Sequence, residues 1–170
     1  MGNLKNIKLI IFDVDGVLTD GTIGLDDHGI ESKHFHVRDG FAIRAAKRLG
    51  LAVGVVSGRA SRSVTHRNNE LGIDLALLGV RDKAIGLETL CQRAGKDPQQ
   101  AAFVGDDLID LPAMLYCGYP IAVADAVAEV KAVAQHITHH RGGCGAARDA
   151  IEHILKAQQR WDELLEQYGI

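Results

Sequence analysis

Five short apolar runs rich in Val, Ile and Leu recur along the chain: Ile7–Phe12, Ala52–Val56, Leu75–Leu78, Ala101–Val104 and Pro120–Ala124. Within them apolar residues are close to continuous and do not alternate with polar ones, so both faces of each strand need covering. The intervening segments have helical period. They are Gly40–Leu49, Ala60–Leu71, Asp82–Ala94, Asp107–Cys117, Ala126–Ala134, and a final one from Gly145 to about Tyr168. Strands alternating with helices make a βαβ series, whose strands lie parallel in one sheet.

The expected architecture is therefore α/β: a Rossmann-like open parallel sheet with helices on both faces. One segment breaks the alternation. Between the first strand and the first helix, GTIGLDDHGIESKHFHVRDG carries two short runs around Asp27-His28-Gly29, a turn cluster. This predicts a β-hairpin arm over about residues 21–36. The last helix bears Ile151, Ile154, Leu155, Trp161, Leu164 and Leu165 at roughly helical spacing, a face for packing on the body or on a partner subunit. With 170 residues and no linker, repeat or low-complexity tract, a single domain over 1–170 is expected, with a helical tail over about 145–170.

A net charge of −3 argues against a nucleic-acid binder, and no run approaches the ~18 residues of a spanning helix, so no membrane association is expected. Cys91, Cys117 and Cys144 are odd in number and far apart, which suggests neither a disulfide framework nor a zinc site and fits a reducing cytoplasm. The start of the chain shows no targeting segment, so the expectation is a mature protein that is this whole chain.

Ligands of open α/β sheets bind outside the carboxyl ends of the strands, and the polar motifs of this chain fall there. Asp13 and Asp15 follow the first strand, Ser57-Gly58-Arg59 the second, Arg81-Asp82-Lys83 the third and Gly105-Asp106-Asp107 the fourth, with Asp110 one turn on. Carboxylates this dense repel one another, and a hard divalent cation, Mg²⁺, answers the repulsion with an all-oxygen shell. One aspartate is then free to attack phosphorus. In an extended strand Asp13 and Asp15 share a side and face a common ligand. Ser57 and Lys83 suit phosphoryl oxygens, and Lys83 is expected to hold Asp13 ionised. His34 and His36 alternate on one side of the arm, but a third ligand at metal spacing is lacking.

The ordered set DVDGVLTD, SGR, Lys83 and GDDLIDL resembles the haloacid dehalogenase superfamily of phosphohydrolases over nearly the whole chain. The resemblance implies that Asp13 is the nucleophile and that Asp15 first protonates the leaving oxygen and then activates water. It places the metal on Asp13, on Asp106 and on Asp15 through its backbone carbonyl, with Asp107 and Asp110 supporting its water shell. Members usually carry a cap domain between these motifs. Here the stretch from Asp13 to Ser57 holds only the hairpin and one helix, and the stretch to Lys83 is shorter, so a capless member is expected.

DVDGVLTDG, FHVRDG and RGGCGAARD together are closer still to the 3-deoxy-D-manno-octulosonate 8-phosphate phosphatases of lipopolysaccharide synthesis. That family implies a homotetramer in which the arms meet and the C-terminal segment approaches a neighbour's site. It also implies substrate contacts on Asp15, His36, Val37, Arg38, Asp39, Gly40, Arg44, Arg59, Arg67 and Lys83. Arginines suit a sugar-acid phosphate on their own terms, since it carries a carboxylate as well as a phosphate. Cys144 departs from the basic residues common in relatives.

Three other readings compete with this one; the first stays open, and the motifs speak against the second and the third. A phosphatase for a nonulosonate 9-phosphate would share every catalytic motif. A phospho-receiver module carries its acceptor aspartate after the third strand, where this chain has Gly79-Val80-Arg81. A silent scaffold of the same fold should have lost Asp13 or Asp15, and both are present.

Overall fold

The structure is a computed structural model and describes residues 4–169. In chain order its elements are β1 (Leu9–Phe12), β2 (Gly24–Leu25), β3 (Glu31–Ser32), α1 (Val37–Arg48), β4 (Ala52–Ser57), α2 (Arg62–Leu71), β5 (Leu75–Leu78) and α3 (Lys83–Ala94). Next come β6 (Ala101–Gly105), α4 (Leu111–Tyr116), β7 (Tyr119–Ala122), α5 (Ala128–Val133), β8 (His136–Ile137), α6 (Ala146–Ala157) and α7 (Trp161–Glu166). Six strands form one parallel sheet in the order β5-β4-β1-β6-β7-β8. Every residue of β1 and β6 is buried, as continuous apolar runs demand.

The chain first winds outward from β1 through β4 to β5, then returns to the other side of β1 and runs outward through β6, β7 and β8. Right-handed crossovers therefore put α1 and α2 on one face and α3, α4 and α5 on the other. α6 closes the first face by packing along α1. The core is the two sides of this sheet, where Ile10, Ile11, Phe12, Phe103, Val104, Leu87 and Ile154 are all inaccessible.

The final helical segment is two helices and not one. Gln159 breaks it with φ +58°, because the neighbouring side chains are used to tie it down. Gln158 donates to the carbonyls of Leu4 and Ile7, both at 2.8 Å, and Arg160 donates to the carbonyl of Leu49. The break turns α7 back so that Trp161 and Leu164 are buried. β8 was invisible as a strand, since two residues beside a run of histidines carry no apolar pattern. The arm forms where expected and is short. Its turn is built on Asp26, whose carboxylate accepts from the N–H of His28 at 2.9 Å and of Ile30 at 2.8 Å.

Candidate active site

The register of the sheet assembles the motifs. Phe12 pairs with Val55 on one side and Val104 on the other, so Asp13 is level with Val56 and Gly105, and Ser57 and Asp106 lie one residue further on. The winding reverses between β1 and β6, which opens a crevice there, and Asp13 and Asp106 stand on its two sides.

Asp13 is the last residue held by the ladder, its N–H donating to Val104 O at 3.0 Å. The chain then turns, and the N–H groups of Val17, Leu18 and Thr19 all donate to Val14 O at 3.3, 2.9 and 3.0 Å. Gly16 takes φ +89°, and a Cβ there would lie 2.1 Å from Asp106 Oδ2. The period-two expectation for Asp13 and Asp15 ends at this turn. Asp15 sits on the turn and its carboxylate joins a different group of charges.

Lys83 is placed by a helix cap. Asp82 accepts from the N–H of Ala84 at 3.0 Å and of Ile85 at 3.2 Å, so α3 starts at Lys83 and its side chain enters the crevice. The buried Lys83 ammonium lies 2.8 Å from Asp13 Oδ1 and 2.5 Å from Asp110 Oδ1. The other oxygen of the wholly buried Asp110 accepts from the N–H groups of Asp106 at 2.9 Å and Asp107 at 3.2 Å. Asp110 thus shapes the Gly105–Asp107 loop from below, a larger part than support of a water shell. Asp107 is exposed and caps the next 3₁₀ turn, accepting from Leu108 N–H at 2.7 Å.

Burial and the Asp110 carboxylate push Asp13 up to about 7, outweighing Lys83. Lys83 acts on Asp13 in the expected direction, and burial with Asp110 opposes it. Burial, with Asp110 and Asp13 nearby, pushes Asp106 up to about 8. Burial alone would lower Lys83, but Asp13 and Asp110 outweigh it and the ammonium shifts upward. Carboxylate oxygens of Asp13, Asp106 and Asp110 lie within 4.8 Å of one another, and Asp106 Oδ1 is buried with no hydrogen-bond partner. These residues fit a hard divalent cation. Both oxygens of Asp110 are already engaged, which leaves Asp13 and Asp106 as the carboxylates to hold it.

Ser57 is buried at the end of β4, its Oγ accepting from Arg59 N–H at 3.2 Å. Asp15 instead meets Lys33, with Arg59 Nε 4.0 Å away. Arg59 also pairs with Glu31 Oε2 at 2.6 Å. Asp20 stands outside both groups, its exposed carboxylate accepting from Thr22 Oγ1 at 2.6 Å.

The FHVRDG stretch opens α1. Its Asp39 is buried and accepts from Arg148 N–H at 2.8 Å, which ties the starts of α1 and α6 together, while Val37 is exposed. Gly40 is small because Arg67 passes over it: a Cβ there would lie 2.4 Å from the guanidinium. Arg67 covers the ring of Phe35 at 5.7 Å and pairs with Glu70 at 2.8 Å, in a hollow it shares with His36 and Asp39. Arg38 lines a second hollow with His140, Cys144 and Arg148, and Arg44 a third with Phe41, Lys47, Arg48 and Tyr168. Arg38, Arg44, Arg59 and Arg67 are thus dispersed over one chain, and of these four Arg59 adjoins the catalytic edge.

Residues 80–148 match the model of the haloacid dehalogenase-like hydrolases. The 3-deoxy-D-manno-octulosonate 8-phosphate phosphatase of Haemophilus influenzae is 44% identical over 91% of this chain and 86% of its own length. That of Escherichia coli K12 is 41% identical over 94% and 85%. This chain belongs to the 3-deoxy-D-manno-octulosonate 8-phosphate phosphatase family. Among solved family members, the Moraxella catarrhalis phosphatase, in complex with magnesium, phosphate and KDO, superposes with a TM-score of 0.94 at 38% identity, covering 98% of this chain and 95% of its own. The cobalt-bound H. influenzae phosphatase gives 0.90 at 44% identity, covering 92% of each.

Two residues of the site were passed over in the sequence, Glu31 and Lys33. Their signal was the alternation Glu31-Ser32-Lys33-His34-Phe35, in which the odd positions turn inward while Ser32 and His34 are exposed. Among the described residues His34 and His36 join no group that could hold a metal.

Proposed function

We propose that this chain is a Mg²⁺-dependent phosphatase that hydrolyses 3-deoxy-D-manno-octulosonate 8-phosphate to the free sugar acid and phosphate, in the cytoplasm, as a step of lipopolysaccharide synthesis. The observation that carries the reading is the Asp13–Lys83–Asp110 arrangement beside Asp106, in a chain about 40% identical over nearly its whole length to phosphatases of that ester.

Asp13 attacks phosphorus and forms an aspartyl-phosphate as the ester oxygen leaves with a proton from Asp15. Asp15 then takes a proton from water, which attacks the acyl-phosphate and frees Asp13. Ser57 and Lys83 hold the phosphoryl oxygens and orient them for in-line attack. Mg²⁺, held by Asp13, Asp106 and the backbone carbonyl of Asp15, would supply charge neutralisation at the phosphoryl group. Within one chain Arg59 would take the substrate's remaining groups at the catalytic edge, and His36–Gly40, Arg44 and Arg67, which lie away from that edge, would meet the substrate where a neighbouring subunit brings them up.

The single capless domain leaves the crevice open, and a homotetramer closes it. Supporting this, the arm and the start of α1 expose Leu25, Ile30 and Val37, apolar side chains that a neighbouring subunit would cover. Among the described residues no helix is long and apolar enough to cross a membrane.

The test is phosphate release by the purified chain over a panel of sugar and sugar-acid phosphates. The octulosonate 8-phosphate should give the highest kcat/KM. A nonulosonate 9-phosphate turned over more efficiently would overturn the substrate. Undiminished turnover by Asp13→Asn would overturn the mechanism.

A further inference from the structure

We propose that Lys33 is a positioning residue for Asp15: from the arm it aims the Asp15 carboxylate at the leaving oxygen of the ester. The proposal rests on the reading of Asp15 as the proton donor.

Asp15 stands on a turn with its side chain 22% exposed, and its own loop gives its carboxylate no partner among the described residues. What holds it comes from elsewhere. The Lys33 side chain has no exposed surface, and its ammonium meets Asp15 Oδ1 and, at 3.3 Å, Glu31 Oε1. Glu31 Oε2 pairs with Arg59 at 2.6 Å, and Arg59 Nε returns to Asp15 Oδ2 at 4.0 Å. The four charges form a closed ring of alternating sign, and it joins three separate segments: the turn after β1, the arm, and the loop after β4.

The backbone fixes the register of this ring. Ser63 Oγ donates to the Glu31 carbonyl at 3.2 Å, and Phe35 packs against the core under Arg67. Between these anchors the chain is extended, so Lys33 points inward while Ser32 and His34 point out. A slip of one residue would present Ser32 or His34 to Asp15. An ammonium stripped of water is costly unless paired, and here the partner that it selects is the carboxylate at the catalytic edge. A tether serving only to dock the arm could have stopped at Glu31 and Arg59.

The role has a specific kinetic signature. When the P–O bond of an alkyl ester breaks, the electron pair goes to an alkoxide oxygen that must receive the Asp15 proton as it leaves. A p-nitrophenolate leaves without that proton. A badly aimed Asp15 therefore slows the first kind of ester and spares the second, whereas a damaged phosphate pocket slows both.

The experiment compares wild type, K33M, K33Q and D15N on glycerol phosphate and on p-nitrophenyl phosphate with saturating Mg²⁺. It is read as kcat/KM, which reports the step that breaks the ester bond. K33M should lose about 10- to 100-fold on the alkyl ester and less than about threefold on the aryl ester, within the range of a compromised general acid. K33Q keeps an N–H donor towards Asp15 and should show a smaller loss with the same preference; it carries the test alone if K33M fails to fold. Equal losses on both esters, or no loss on either, would overturn the role of Lys33. D15N separates the two readings. If it too lacks the leaving-group preference, the proton-donor reading of Asp15 fails; if it shows the preference and the Lys33 variants do not, this inference alone fails.

Discussion

Lys83 and Asp110 meet at 2.5 Å with neither side chain more than 1% exposed, and the same ammonium reaches Asp13 at 2.8 Å. One buried cation thus serves two buried carboxylates, one of them shaping a loop and the other aimed at the crevice. Removing the cation strands both. K83M should abolish phosphate release and lower folding stability by about 3–5 kcal/mol, the cost of breaking a buried ion pair from one side. Adding D110N should restore part of the stability and none of the activity. Denaturant titration of both variants checks this, and an unchanged midpoint for K83M would contradict the ion triad.

Gly16 and Gly142 hold the catalytic turn from two sides. A Cβ on Gly142 would lie 1.7 Å from the Gly16 carbonyl, and Gly143 N–H donates to Val17 O at 2.9 Å. G142A should therefore displace the turn that carries Asp15, and the misplacement of reacting groups should cost activity by about 10²-fold. G16A adds backbone strain of about 1–3 kcal/mol at φ +89° and pushes on Asp106. Circular dichroism should show both variants folded while turnover falls.

Mg²⁺ binding should release protons. Asp13 near 7 and Asp106 near 8 are partly protonated at neutral pH, and a carboxylate must lose its proton to hold the cation. Apparent Mg²⁺ affinity should therefore weaken as pH falls from 8 through 7. Titration calorimetry in two buffers of different ionisation heat reads the protons directly. Melting temperature should rise on adding Mg²⁺, by the equivalent of about 2.7 kcal/mol at a hundredfold excess over Kd, and D106N should blunt the rise. A pH-independent affinity between 6 and 8 would contradict the arrangement.

His136 and His153 stack at 3.7 Å with their planes 4° apart, on the β8 edge of the sheet. Burial and His153 push His136 down to about 4, with His139 adding to the effect and Asp149 opposing it; burial also lowers His153. A base lowered in the folded state contributes stability fully above its unfolded value of about 6.5, and the contribution is lost as pH falls from there towards 4. The melting temperature should fall over that window, and His136→Phe should flatten the fall. An unaltered slope in the variant would assign the pH dependence to other groups.

Much of the fold was written in local pattern. Leu9–Phe12 and Ala101–Val104 declare strands buried on both faces, Asp82 declares the start of α3, and the turn residues Asp26–Gly29 declare the arm. Each of these signals acts within a few residues, so the sequence shows it directly. His136–Ile137 pairs only because β7 offers an open edge, and the break at Gln159 exists only because Leu4, Ile7 and Leu49 lie where Gln158 and Arg160 can reach them. Neither leaves a periodic trace.

By itself the sequence determined the kinds of group at the site and that they would gather at one edge of the sheet, because each strand delivers the residues after it to its own carboxyl end. Tertiary structure alone decided how those groups are shared out. Buried Asp13, Lys83 and Asp110 form one cluster with the half-buried Asp106, while Asp15, Lys33, Glu31 and Arg59 form another at its rim. Charges far apart in the chain choose partners by distance and by exclusion from water. Both are set only when the turn at Gly16 and the return of the arm bring the segments together.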